Sequence, residues 1–268
     1  MRLHFTVPTS TVRDCNCNVQ VLDLSTVPVS TVHDCNCTVQ VLDLGGWLST
    51  GADSLDQMLS TGLLVHRVTE LVGQTATGKT QLCMTAAVLA AAHNIKVLYM
   101  DTANGANPRR LLSIAKERYR GRLAADGLDG LLERIEVVKA FELLAVTNTL
   151  TAFQDGVASG GDGSRYSGVQ LVILDSVTAV VAPILGGERN PAGHGLMSDL
   201  GQLLNRVAFE CSCSVLVTNS TVGGRDEEGQ ATGPKAALGA TWECVPSVRI
   251  MLRADHAPGS VRCEGGGE

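Results

Sequence analysis

Aromatic residues are scarce in this chain: four Phe, two Trp and three Tyr make up 3% of its 268 residues. Proteins that hold single-stranded nucleic acid unaided stack bases on aromatic side chains, and here few are on hand. A basic excess is also missing. Lys and Arg number 21 against 27 Asp and Glu, a net charge of −6, whereas tight independent contact with a phosphate backbone leaves a basic stripe. If nucleic acid is a partner, a local loop or another subunit must supply much of the grip. No apolar run approaches the roughly 20 residues a membrane helix needs, so no membrane partner is expected. The opening MRLHFTVPTSTVRD lacks the apolar core of a secretory signal, so a soluble intracellular protein is expected. The nine cysteines are too few and too scattered for a disulfide framework. CxxC spacing, which zinc sites favour, is absent; instead Cys15/Cys17, Cys35/Cys37 and Cys211/Cys213 form CxC pairs. Cys211 and Cys213 straddle the start of an apolar run and read as small buried side chains.

What is present divides at Trp47. Before it, TVPTSTVRDCNCNVQVLDL (Thr6 to Leu24) recurs as TVPVSTVHDCNCTVQVLDL (Thr26 to Leu44) with three differences. Two copies cannot bury a continuous solenoid face, so residues 1–46 are expected to be a duplicated, flexible extension, with a partner-binding arm as the functional alternative. After it, residues 47–268 carry regular periodicity. LSTGADSLDQML enters a helix, with Leu55, Met58 and Leu59 at helical spacing. RVTELVG, KVLYMD, RIEVVKA, VQLVILD, SVLVTN and PSVRIML read as strands. Helices KTQLCMTAAVLAAAH, NPRRLLSIAKERY, LLAVTNTLTAFQDGVA and GLMSDLGQLLNRVAFE alternate with them, Asn107 standing at an N-cap and Pro108 at the first helical position. Such alternation predicts an α/β fold with a mainly parallel, twisted sheet covered by helices on both faces. The closing PSVRIMLRADHAPGSVRCE predicts an antiparallel hairpin at one edge.

GQTATGKT, Gly73 to Thr80, matches GxxxxGK[ST] in full, between an apolar strand and a helix. Each residue type has a physical task. Gly73 and Gly78 let main-chain amides turn inward around phosphate oxygens, with Gln74, Thr75, Ala76 and Thr77 supplying the turn. The helix from Lys79 adds its positive dipole end, Lys79 reaches the outer phosphates, and Thr80 offers a hydroxyl to Mg²⁺. The matching acid is Asp175, which closes the apolar run LVILD and suits a carboxylate holding Mg²⁺ through water. Its neighbour Ser176 could add a hydrogen bond. ATP and Mg²⁺ are the expected cofactors. Rapid hydrolysis also needs a group to activate water, and Asp101, Asn104 and Glu70 are the nearby candidates.

These motifs, together with VLYMDTANG, DSVTAVVAPILGG, SVLVTN and ALGATWECVPSVRIML, resemble the RecA-like strand-exchange family over about Leu48 to Arg253, and within it the D-type eukaryotic recombinase paralogues. The resemblance implies a RecA-like P-loop NTPase core, ATP and Mg²⁺ binding, association with single-stranded DNA, sibling recombinase paralogues as partners, and a nuclear role in homologous-recombination repair. It places a first DNA loop at about Pro183 to Gly195 and a second at Asn219 to Lys235, with Arg189, Arg225 and Lys235 as candidate contacts. Asp226, Glu227 and Glu228 leave the second loop net acidic. Trp242 reads as a core anchor before a stacking platform.

Departures from the family bear on function. Ala103 stands where recombinases carry a catalytic Glu, and Ser220 where a Gln often closes the fifth strand. The family's N-terminal helical domain is not recognisable, and the C-terminal edge is expected to be shortened. The resulting expectation is an ATP-binding subunit of a paralogue complex with slow ATPase at most. An active DNA-dependent strand-exchange ATPase and a degenerate non-catalytic scaffold are the alternatives.

Overall fold

Strands covered on both faces are largely apolar, and mainly apolar runs of this kind build the sheet. The computed structural model describes residues 3–6, 46–59, 62–119, 125–160, 164–186, 191–225, 231–254 and 261–264. The duplicated repeat beyond Thr6, with Cys15, Cys17, Cys35 and Cys37, lies outside them, as do Arg189 and the acidic run Asp226 to Glu228. The elements in the first half are β1 (Leu3–Thr6), β2 (Trp47–Leu48), α1 (Asp53–Met58), β3 (Leu63–Leu64), β4 (Val68–Gly73), α2 (Lys79–Ala92), β5 (Lys96–Asp101), α3 (Pro108–Arg118) and α4 (Ala125–Glu133). Then follow β6 (Ile135–Lys139), α5 (Leu143–Ala158), β7 (Val169–Asp175), α6 (Val177–Leu185) and α7 (Pro191–Glu210). The last are β8 (Ser214–Asn219), β9 (Thr221–Arg225), β10 (Ala231–Ala236), α8 (Ala240–Glu243), β11 (Val248–Ala254) and β12 (Val261–Glu264).

The main sheet runs β1-β12-β11-β4-β8-β7-β5-β6. All pairs from β11 to β6 are parallel. The expected antiparallel edge is β12 against β11, and β1 adds to it in parallel. The fold is thus α/β with helices on both faces, as the alternation predicted.

Two apolar cores flank the sheet. One packs α5, α6, α7 and Trp242 of α8 against Val68, Leu98, Val172, Val215 and their neighbours. The other packs α1, α2, α3 and α4 against Leu71, Tyr99, Ile173, Leu216 and Ile250. From Ala86 on, helix α2 is mostly small and apolar, and Cys83, Ala86, Ala87, Val88 and Ala91 are fully enclosed. Small apolar side chains suit a helix lying close against the sheet. Cys211 and Cys213 belong to the first core as free thiols.

Three local features differ from the sequence pattern. Helix α7 begins at Pro191, four residues before GLMSDL, because Pro fits a first helical turn that needs no amide. Helix α6 fills VTAVVAPIL despite Pro183, capped by Ser176, whose Oγ accepts from the Ala179 amide at 3.3 Å. Much of the proposed first DNA loop is therefore helical at its two ends. The second is a β-ribbon of β9 and β10 in register Lys235↔Val222 and Ala236↔Thr221.

Candidate nucleotide site

The loop after β4 turns through left-handed backbone at Ala76 (φ 67°) and Gly78 (φ 94°) before α2 begins at Lys79. A Cβ at Gly73 would lie 2.6 Å from the Leu252 carbonyl oxygen and 2.6 Å from Thr77 Oγ1, so only glycine fits there. Thr77 braces the turn, its hydroxyl donating to the Gln74 carbonyl at 2.8 Å. Lys79 Nζ donates to the carbonyls of Gly73 at 2.6 Å and Gln74 at 2.8 Å. Burial lowers the Lys79 pKa, and the Asp175 carboxylate opposes that shift. Among the described residues no acceptor takes the main-chain amides of Thr75, Ala76, Gly78, Lys79 or Thr80. Five donors on one short turn, at the start of a helix of 14 residues, form an anion cradle. The donor set fits a triphosphate tail.

Asp175 ends β7 beside this loop and is buried; the peptide bond that follows it is cis. Its Oδ2 accepts from Tyr99 Oη at 2.9 Å and its Oδ1 from Thr218 Oγ1 at 2.5 Å. Burial, with Cys83 and Asp175 nearby, pushes the Tyr99 phenol far above its ordinary range, so it stays a donor. Burial and Asp175 raise the Cys83 thiol likewise. Thr80 lies under the loop after β5, with its Oγ1 3.7 Å from where a Gly105 side chain would begin.

The three candidates for water activation are committed elsewhere. Asp101 is enclosed and accepts the amides of Ala103, Gly105 and Ala106 at 3.2, 2.9 and 3.1 Å, so it shapes the loop over Thr80. Glu70 is fully buried on the opposite face of the sheet. It accepts from Asn219 Nδ2 at 2.8 Å, from Trp242 Nε1 at 2.7 Å and from Arg249 Nε. Trp242 is accordingly a core anchor. The Asn104 side-chain oxygen accepts from Lys139 Nζ at 2.7 Å, and Ala103 is exposed with no polar atom to offer.

The end of β8 connects this site to the ribbon. Asn219 Oδ1 accepts from Thr178 Oγ1 at 2.7 Å, and Thr178 Oγ1 accepts from the Ser220 amide at 2.8 Å. A cleft of about 450 Å³ opens between the phosphate loop and the ribbon base, lined by Gln74, Thr75, Ser220, Thr221, Val222 and Pro234 among others. Lys235 is exposed on β10. Arg225 ends β9, on the strand opposite, and Arg189 falls outside the described residues. Tyr99, Thr218 and Thr178 were missed in the sequence. The alternation of KVLYMD does put Tyr99 on the same face as Asp101, which was the available signal.

Residues 46–261 match the family model described as Rad51. The chain belongs to the Rad51 family. Its Rad51-family core is 38% identical over 216 residues to the bovine (Bos taurus) protein named DNA repair protein RAD51 homolog 4, covering 80% of this chain and 63% of that one. The mouse (Mus musculus) protein of the same name is 37% identical over the same shares. A Dictyostelium discoideum protein named probable DNA repair protein RAD51 homolog 4 is 29% identical over 240 residues, 78% of this chain and 66% of that one. This chain therefore spans less than two thirds of the length of these relatives.

Proposed function

We propose that this chain is an ATP-binding subunit of a recombinase-paralogue assembly in homologous-recombination repair, working in the nucleus with sibling paralogues and single-stranded DNA. The observation that carries the reading is the loop Gly73 to Thr80, with five unpaired amides and one lysine converging on a single turn. In this reading the amides and Lys79 hold the β- and γ-phosphates. Thr80 directly, and Asp175 through water, hold Mg²⁺, which neutralises charge on the phosphate oxygens when bound. Ser220 and the ribbon base face the phosphate end of the site across the cleft. Nucleotide would then be felt at the ribbon, where Lys235 and Arg225 are the candidate DNA contacts, with Arg189 from the first loop.

Hydrolysis is slow in this reading. Ala103 cannot take a proton, Asp101 holds three amides, and Glu70 points into the other core. Loss of a general base typically costs 10²–10⁴-fold in rate. The chain would bind, order its partner-facing surface and hold. A ligand shifts a conformational equilibrium only through unequal affinity for the two states, and contacts to the γ-phosphate are the expected source.

The test compares wild type with Lys79→Ala in ATP-analogue titrations and in pull-down with a candidate sibling paralogue. Loss of both in the variant, at an unchanged melting temperature, is the expected result. Wild type that binds no nucleotide would end the proposal. Assembly and repair untouched by Lys79→Ala would instead favour a non-catalytic scaffold.

A further inference from the structure

The Asp175 carboxylate has two oxygens, and each is already engaged by a hydroxyl. The sheet order sets this up. Strands β5, β7 and β8 lie side by side, with β7 between the other two. Register pairs Tyr99 with Ile173, two residues before Asp175. A strand advances about 3.3 Å per residue, so a long side chain leaning forward is needed to reach the carboxylate, and the Tyr99 phenol spans it to 2.9 Å. On the other side Leu174 pairs with Val217. Thr218 therefore comes level with Asp175, and its short hydroxyl suffices, at 2.5 Å. Both donors are fully buried, so neither can turn to bulk water instead.

An ionised carboxylate offers about four lone-pair sites. Two are taken here, one on each oxygen, so the group cannot rotate without releasing one of its hydroxyls, and one site is left on each oxygen. What remains can accept the hydrogens of metal-bound water, and Mg²⁺ gives up its waters reluctantly.

Resting on the nucleotide-site reading above, we infer that Tyr99 and Thr218 are positioning residues that lock Asp175 as a water-mediated partner of Mg²⁺. Neither residue touches the nucleotide. They act through the orientation of one carboxylate.

The experiment titrates the full chain with a fluorescent ATP analogue in EDTA and in Mg²⁺, for wild type, Tyr99→Phe, Thr218→Val and Thr218→Ser. Wild type should bind more tightly in Mg²⁺ than in EDTA. Tyr99→Phe and Thr218→Val should each lower the Mg²⁺ enhancement by about tenfold, the order seen when a partner of a metal-binding group is removed. Affinity in EDTA should stay within about twofold of wild type, a readout that general loosening of the core would not spare. Thr218→Ser, which keeps the hydroxyl, should behave as wild type. Variants with undiminished Mg²⁺ enhancement would overturn the inference and leave the nucleotide site standing. Wild type with no affinity in any condition would overturn both.

Discussion

At the scale of single residues, Glu70 shows why a carboxylate near a phosphate loop need not do chemistry. It sits three positions before Gly73, but strand alternation turns it to the other face, where three donors from β8, α8 and β11 meet it. Glu70→Ala would leave the Arg249 guanidinium without its counter-charge and the Trp242 and Asn219 donors without an acceptor. Breaking a buried pair from one side costs about 3–5 kcal/mol, and urea unfolding at neutral pH should show a loss of that order. Sequence named Glu70 and Asp101 as candidates but could not assign their tasks, because those are set by which strands become neighbours. Asp101 is the clearer case. Three turn amides, of Ala103, Gly105 and Ala106, bend back onto it, a geometry that DTANGA alone does not announce. The turn from Gly73 to Thr80 was legible, since its residue types answer to main-chain geometry that is local.

At the scale of elements, local chemistry decided what could be read. Helix α3 was visible from Asn107 and Pro108, and Asn107 Oδ1 does accept from the Arg109 amide at 2.9 Å. Asn107→Ala should lower stability by about 1 kcal/mol, measurable as a small fall in melting temperature. Helix α4 was hidden by Gly127 and Gly130, which read as loop; Leu128, Leu131 and Leu132 pack it onto the second core all the same. Tertiary burial overrides propensity there. The ribbon was equally hidden, because TVGGR and ATGPKA carry three glycines and a proline among few strand formers. Its base is held by the Thr178 side chain, which accepts from the Ser220 amide, and by the Ala237 amide donating to the Ser220 carbonyl at 2.9 Å.

At the scale of the whole molecule, the class of fold followed from alternation, whereas strand order did not, because parallel neighbours are joined by crossovers that leave no local mark. Two flanking cores also bring a pH dependence. Burial raises the Cys83 and Cys213 thiols well above their ordinary range and pushes Cys211 up to about 11. The unfolded chain sheds these protons first, near 9, so the native state binds more of them and stability falls as pH climbs above that point. Lys79, lowered by burial, contributes with the opposite sign over its own window. The three thiols outnumber it, so the urea midpoint should drop between about pH 8 and about pH 10. Cys213→Ala should flatten that decline. One last consequence concerns the lysine at the loop. Its ammonium already rests on two carbonyl oxygens of the same turn, so an incoming anion must exchange with those oxygens rather than meet a bare charge.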